Sequence, residues 1–299
     1  MIEENHMNQA KTLALLALLS GLLVGIGYAI GGSTGALIGL VIAAVTNFFS
    51  WYSSDKIALA AYRAQPVSPQ QAPGLYQMVE RLCQRAELPM PKIYVIPSQG
   101  ANAFATGRDP QHAAVAVTQG IVNLLSEAEL EGVLAHELSH IRNRDTLTQA
   151  VAATIAGAIS YMAQMLQYSL WFGGVSRDRG GGNPLGALLA IFLAPIAATV
   201  VQMAISRTRE FEADAGAARL TGNPRALASA LQKLEATARQ IPLHANPSFE
   251  PLLIVNSLSG QFLGSLFSTH PSTQARIQNL SKIEQELVGR SGVRRKIGF

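Results

Sequence analysis

The chain has 299 residues, 48% of them hydrophobic and only 14% charged, with a net charge of +4 and a sequence pI of about 9.3. A soluble domain carries about 25% charged residues, and here the deficit is concentrated, since 12–54, 146–176 and 180–206 contain no Asp, Glu, Lys or Arg. This excludes an ordinary soluble globule, a disordered chain and a collagen-like fibre, and leaves a membrane protein with a polar portion large enough for one core.

The N-terminus, MIEENHMNQAK, lacks the basic region of a cleaved signal peptide, and the apolar run behind it is too long for one, so an uncleaved anchor is expected. That run is also too long for a single span of about 20 residues. Gly31, Gly32, Ser33, Thr34 and Gly35 divide it into helices at about 12–31 and 35–53, an N-terminal transmembrane hairpin within 1–54. Trp51 and Tyr52 close the second helix, as aromatics do at a membrane interface.

Residues 55–145 form the first part of a polar domain. Pro66, Pro69 and Pro73 mark a linker, and an amphipathic helix spans 75–86. The one cysteine, Cys83, shares a helical face with Leu75, Val79 and Leu82, which reads as a buried core thiol. A single cysteine forms no intrachain disulfide and no Cys-based zinc site. Residues 92–96, 102–107 and 113–117 read as short strands. Ser126 and Glu129 make a capping box that opens a helix running to about Asn143.

A second transmembrane pair, about 147–172 and 186–206, is expected within 146–206, joined by a Gly-rich loop. The second part of the polar domain, 207–299, reads as helical, with Leu227, Leu231 and Leu234 on one amphipathic face and Ile277, Leu280, Ile283 and Leu287 on another. Residues 241–268 carry no clear pattern. Lys56, Arg63, Arg142, Arg144, Arg207 and Arg209 flank the spans on one side, against Arg177 and Arg179 on the other, which predicts a cytoplasmic polar domain. The run Arg290, Arg294, Arg295 and Lys296 suits either anionic lipid heads or a solvated tail. Nucleic acid is not expected as a partner, because no basic patch is interleaved with aromatics.

The informative string is His136-Glu137-Leu138-Ser139-His140. Residues four apart share a helical face, so both imidazoles reach one metal, with Glu137 beside them to activate water there. The helix around them is apolar, and two buried histidines need partners. A catalytic zinc takes three protein ligands and keeps one position open. Among acids elsewhere, Glu210 and Asp214 lie four apart where the last apolar stretch ends, which allows one ligand (Glu210) and one acceptor for a ligand imidazole N–H (Asp214). Glu212 points to another face and reads as a solvated charge. His270, before Pro271, reads from spacing alone as a helix-capping residue.

HELSH followed by SRTREFEAD, between apolar helices, resembles the HtpX-type integral membrane zinc metalloproteases, gluzincins related to the CAAX prenyl proteases. The likeness extends over SSDKIAL, NAFATG, TGNPRALASAL and FSTHPSTQARI, nearly the whole chain. It implies a mainly α fold with a small β-sheet: a four-helix membrane portion plus a cytoplasmic zincin-like α+β protease domain. It implies one zinc ion per chain held by His136, His140 and Glu210, with Glu137 catalytic, and His270 or Arg276 donating to the oxyanion. Asn102, Ala103 and Phe104 resemble the edge strand that aligns substrate backbone. The implied activity is endopeptidase action on membrane or misfolded proteins at the inner face of the cell membrane, in quality control. The implied partners are protein substrates, the lipid bilayer, and other membrane proteases or further copies of the chain. A narrow CAAX-type processing protease and a non-catalytic zinc-stabilised scaffold are the competing readings.

Overall fold

The computed structural model describes residues 2–156, 207–241, 243, 249, 252–255 and 271–296. The described part is mostly helical with one small mixed sheet. The expected helix at 186–206, most of that at 147–172, and His270 lie outside the described residues.

Helix α1 (Ile2–Ala61) is helical throughout yet doubles back on itself. Asn47 donates to Ser20 Oγ at 2.8 Å and to the Leu16 carbonyl at 3.1 Å. On a straight helix rising 1.5 Å per residue, Ser20 and Asn47 would stand about 40 Å apart. The reversal falls at Gly32, whose φ of 61° is the left-handed conformation that glycine adopts without a Cβ clash. The second arm runs past the expected end near 53, because Ser54, Ala58 and Leu59 turn inward and are buried. Its face from Leu37 to Phe49 stays exposed: Leu37, Ile38, Val41, Val45, Phe48 and Phe49 are all on the surface. Among the described residues, the Gly32–Ala61 arm is the one helix long and apolar enough to cross a membrane.

The sheet has strand order β1-β2-β4-β3. Strand β1 (Gln65–Pro66) lies where a linker was expected, and pairs antiparallel with β2 (Lys92–Ile96). Strand β2 runs parallel to β4 (Ala113–Thr118), and β4 antiparallel to β3 (Ala103–Gly107), which forms an edge. Helix α2 (Pro73–Ala86) starts with proline at its first position and ends on Glu87 in the left-handed conformation. Cys83 is buried on its inner face, and burial pushes its thiol up to about 11. Helix α3 (Gln119–Leu124), not foreseen from the sequence, is capped by the Thr118 side chain.

Helix α4 (Glu127–Arg142) opens with the expected capping box: Glu129 accepts the Ser126 N–H at 2.8 Å while Ser126 Oγ accepts the Glu129 N–H. It ends at Asn143, and Arg144, at φ 59°, turns the chain into helical residues 145–156 (α5). A non-glycine residue there costs about 1–3 kcal/mol and calls for a compensating contact. The described part of α5 is interior: Thr148, Gln149, Ala150, Val151 and Ala153 are buried. Thr148 Oγ1 lies 2.9 Å from Thr12 Oγ1, which ties α5 to the first arm of α1.

Helices α6 (Arg207–Thr221), α7 (Pro224–Ala238) and α8 (Thr273–Lys296) complete the fold. One core, with Val79, Leu82, Val115, Leu134, Leu138, Leu231 and Leu280, fills the space between the sheet and helices α2, α4, α6, α7 and α8. Phe104 points to the other face, into a second cluster with Tyr62, Ala153, Leu252 and Leu253. Alternation along β3 thus puts Ala103 and Ala105 toward α4 and Phe104 away from it.

Candidate metal centre

Helices α4 and α6 approach closely because small residues line the contact. A Cβ added at Gly216 would fall 2.5 Å from Ser139 Oγ. Ala213 and Ala217 on the same helix are fully buried. This approach brings the Glu210 carboxylate to the two imidazoles one face of α4 presents.

His136 Nε2 and His140 Nε2 stand 3.1 Å apart, and each lies 3.6 Å from a Glu210 oxygen. Three atoms bound tetrahedrally to one zinc-sized ion at about 2.0–2.1 Å would stand about 3.3 Å apart. The set therefore fits a single ion with small adjustments, and all three residues are buried. The adjoining cavity, about 10 Å³, is lined by His136, Glu137, His140, Gln149, Glu210 and Leu253, with room for one ion or water.

Both imidazoles are held from behind by carboxylates. His136 Nδ1 lies 2.9 Å from Asp214 Oδ1, and His140 Nδ1 lies 3.1 Å from Asp145 Oδ2. A carboxylate only accepts, so each places a proton on Nδ1 and aims Nε2 at the cavity. The two histidines titrate in opposite directions. Burial lowers His136, and Asp214 offsets this only in part. Burial also works against the charged form of His140, but Asp145 and Glu210 outweigh it and raise the group to about 9.

Glu137 lies on the cavity wall, where burial pushes its carboxyl up to about 7. It accepts the Ala105 N–H of β3, which ties the acid–base residue to the edge strand. A carboxyl near neutrality takes and returns protons at low cost.

Asp214 is in turn held by Arg276, which donates from Nε at 2.8 Å and from a terminal nitrogen at 2.6 Å, and also to the Ile254 carbonyl at 2.9 Å. Arg276 is buried and is not among the residues lining the cavity. Its guanidinium is engaged with Asp214 and lies 3.6 Å from Glu210. Burial opposes the charge on both partners, yet their contact raises Arg276 and lowers Asp214.

The outer edge of β3 is occupied by the chain itself. The Ala103 carbonyl accepts the Ile254 N–H at 3.2 Å, and Asn102 Oδ1 accepts both the Ala103 and Ile254 N–H groups. Asn102 Nδ2 donates to the Val255 carbonyl, and Thr146 Oγ1 donates to the Gly107 carbonyl. The edge on which substrate was expected to align thus carries residues 254–255, with Asn102 as their clamp. Phe104 is buried in the second core cluster.

The peptidase family M48 model matches residues 69–284. The chain is 72% identical to a protease HtpX homolog of Nostoc punctiforme over 282 residues, 94% of this chain and 98% of that one. It is 73% identical to a protease HtpX homolog of Trichormus variabilis, again over 94% and 98% of the two chains. The chain belongs to peptidase family M48. Its fold is similar to that of Ste24p from S. mikatae in a crystal structure, with a TM-score of 0.50 at 19% identity, over 94% of this chain and 67% of that one.

This M48 peptidase is thus a membrane metalloprotease, with His136, His140 and Glu210 as the candidate metal ligands. Three buried residues at its centre had not been singled out from sequence: Asp145 behind His140, Arg209 3.7 Å from Asp145, and Gln149 on the cavity wall. The available signal for Asp145 was an acid five residues past His140, at the threshold of an uncharged window.

Proposed function

We propose that the chain is a zinc-dependent endopeptidase of the cytoplasmic membrane face, cutting membrane or misfolded proteins in quality control. The observation that carries this is the buried triad of His136, His140 and Glu210 with Glu137 beside it. Two imidazoles and one carboxylate around a small cavity suit zinc, which when bound polarises a carbonyl and makes water a nucleophile near neutral pH.

The protein's own residues do the rest. Glu137 takes a proton from the attacking water and passes one to the leaving amine. Asp214 and Arg276 hold His136 in its tautomer, so Arg276 acts as a positioning residue. His270 is the proposed oxyanion donor, in keeping with the likeness of its His-Pro-x₄-Arg stretch to the family's pattern. Asn102, Ala103 and Phe104 are proposed to pair with substrate backbone in exchange for the bonds of Asn102 and Ala103 to residues 254–255.

Four apolar helices are proposed to span the bilayer, with Lys56, Arg63, Arg142 and Arg144 on the cytoplasmic side. The exposed arm of α1 supports membrane insertion, and it ends in an interface-like cluster where Arg108 and Lys56 lie over the Tyr52 ring.

The test is hydrolysis of casein by the full chain purified in detergent, with zinc or with chelator. Wild type with zinc cleaves, chelation stops it, and Glu137→Gln binds zinc without cleaving. Normal cleavage by Glu137→Gln sinks the mechanism. Equal rates on a soluble protein and its membrane-tethered form sink the substrate assignment.

A further inference from the structure

His136 is backed by an acid and a base in series, Asp214 and then Arg276. The other imidazole has the same arrangement, built from different parts of the chain. We infer that Asp145 and Arg209 form a second positioning chain that sets the orientation of His140 and completes the metal site. This rests on the metallopeptidase reading of the same site.

Four observations support it. First, Asp145 Oδ2 lies 3.1 Å from His140 Nδ1, the nitrogen facing away from the other ligands, while His140 Nε2 faces His136. Second, Asp145 and Arg209 are both buried, at 1% and 6% exposure, and their charges stand 3.7 Å apart. A buried carboxylate needs a counter-charge, and Arg209 supplies it from the position preceding Glu210. Third, Asp145 sits just past the end of α4 and reaches back to His140 only because Arg144 adopts φ 59°. Strain held at one residue beside a metal-ligand contact suggests that the contact is needed. Fourth, the pair bridges the two ligand-bearing helices. Arg209 belongs to α6, and Asp145 follows α4, so their attraction holds His140 toward Glu210.

The arrangement also connects the site to the N-terminal hairpin. Three residues beyond Asp145, Thr148 meets Thr12 of α1. Helix α5 therefore carries the His140 partner at its start and the α1 contact one turn later.

The test uses the full chain in detergent, as wild type, Asp145→Asn and Arg209→Gln. Zinc affinity is read by competition with a chromophoric chelator, and ligand geometry by the visible absorption of the Co²⁺ form. Loss of the residue behind a ligand imidazole typically costs 10–100-fold in metal affinity. Asp145→Asn is expected to weaken zinc by that factor and change the Co²⁺ bands, and, because it breaks a buried ion pair, to lower the thermal unfolding temperature of the metal-free protein as well. Arg209→Gln keeps the carboxylate and is expected to weaken zinc by a smaller factor, in the same direction. Wild-type zinc affinity and Co²⁺ bands in Asp145→Asn overturn the inference. If Asp145→Asn unfolds, unchanged zinc affinity in Arg209→Gln overturns it instead. A wild type that binds no zinc overturns the metallopeptidase reading as well, which separates the two failures.

Discussion

Arg276 grips Asp214 with two nitrogens on two oxygens, at 2.8 and 2.6 Å, in a place water does not reach. Such a fork cannot be reproduced by lysine's single ammonium. Breaking a buried pair by removing one partner costs about 3–5 kcal/mol. Arg276→Met should therefore lower the thermal unfolding temperature of the metal-free protein. Arg276→Lys should fall between Arg276→Met and wild type, and in both variants zinc affinity should drop as His136 loses its fixed partner. An unaltered unfolding temperature together with a lower kcat would instead make Arg276 a contact of the reacting peptide.

Metal binding should be coupled to one proton from His140. In the metal-free protein that imidazole titrates near 9, so it is charged at neutral pH and must lose its proton to bind zinc. The apparent affinity should rise about tenfold per pH unit from 7 toward 9 and then level off. Zinc competition assays at pH 7, 8 and 9 check this. A flat profile would mean that His140 is already neutral at pH 7.

Glu129 should contribute an acid-sensitive part of the fold's stability. Burial works to raise its pKa, but Lys233 at 2.8 Å, Ser229 at 2.6 Å and the Ser126 bonds outweigh it and hold the group at about 2. Its folded value is depressed below an ordinary 4.5, so the stabilisation is full above 4.5 and disappears as pH falls toward 2. Allowing for the half-exposed Lys233, the contribution is about 2 kcal/mol. Glu129→Gln should remove it at pH 7 and flatten the acid limb of unfolding between pH 5 and 2.

The close crossing of α4 and α6 makes Gly216 sensitive to any added atom. Gly216→Ala places a methyl 2.5 Å from Ser139 Oγ and should destabilise by about 1–3 kcal/mol. Zinc affinity should weaken too, because the same crossing carries Glu210 toward the histidines. Ser139→Gly in the same chain should recover part of both losses. No recovery would mean that the strain at Gly216 arises from another neighbour.

Much of this centre was legible in the sequence because its parts obey local rules. His136 and His140 share a face by helical spacing, as do Glu210 and Asp214, and Ser126 with Glu129 announced where α4 begins. What stayed hidden depends on conformations that residue types do not advertise. Arg144 in the left-handed region is what returns Asp145 to His140, and nothing about an arginine signals that backbone. Residues 252–255 lie in a stretch without periodicity, and their place beside β3 is set by Asn102 and Arg276, which are distant in sequence. The reversal at Gly32 was legible from the glycine cluster. The continuation of α1 to Ala61 was not, because polar Ser53, Ser54 and Asp55 interrupt the apolar run although Ser54 faces inward.

The bonds along the outer side of β3 make peptide recognition there an exchange reaction. Ala103 already gives its carbonyl to Ile254 and its N–H to Asn102, and Ala105 gives its N–H to Glu137. An incoming backbone that pairs with Ala103 or with the Ala105 N–H exchanges one hydrogen bond for another, and the net gain from those bonds is close to zero. Main-chain pairing at these positions adds little affinity, so discrimination between peptides there rests on side-chain burial and charge.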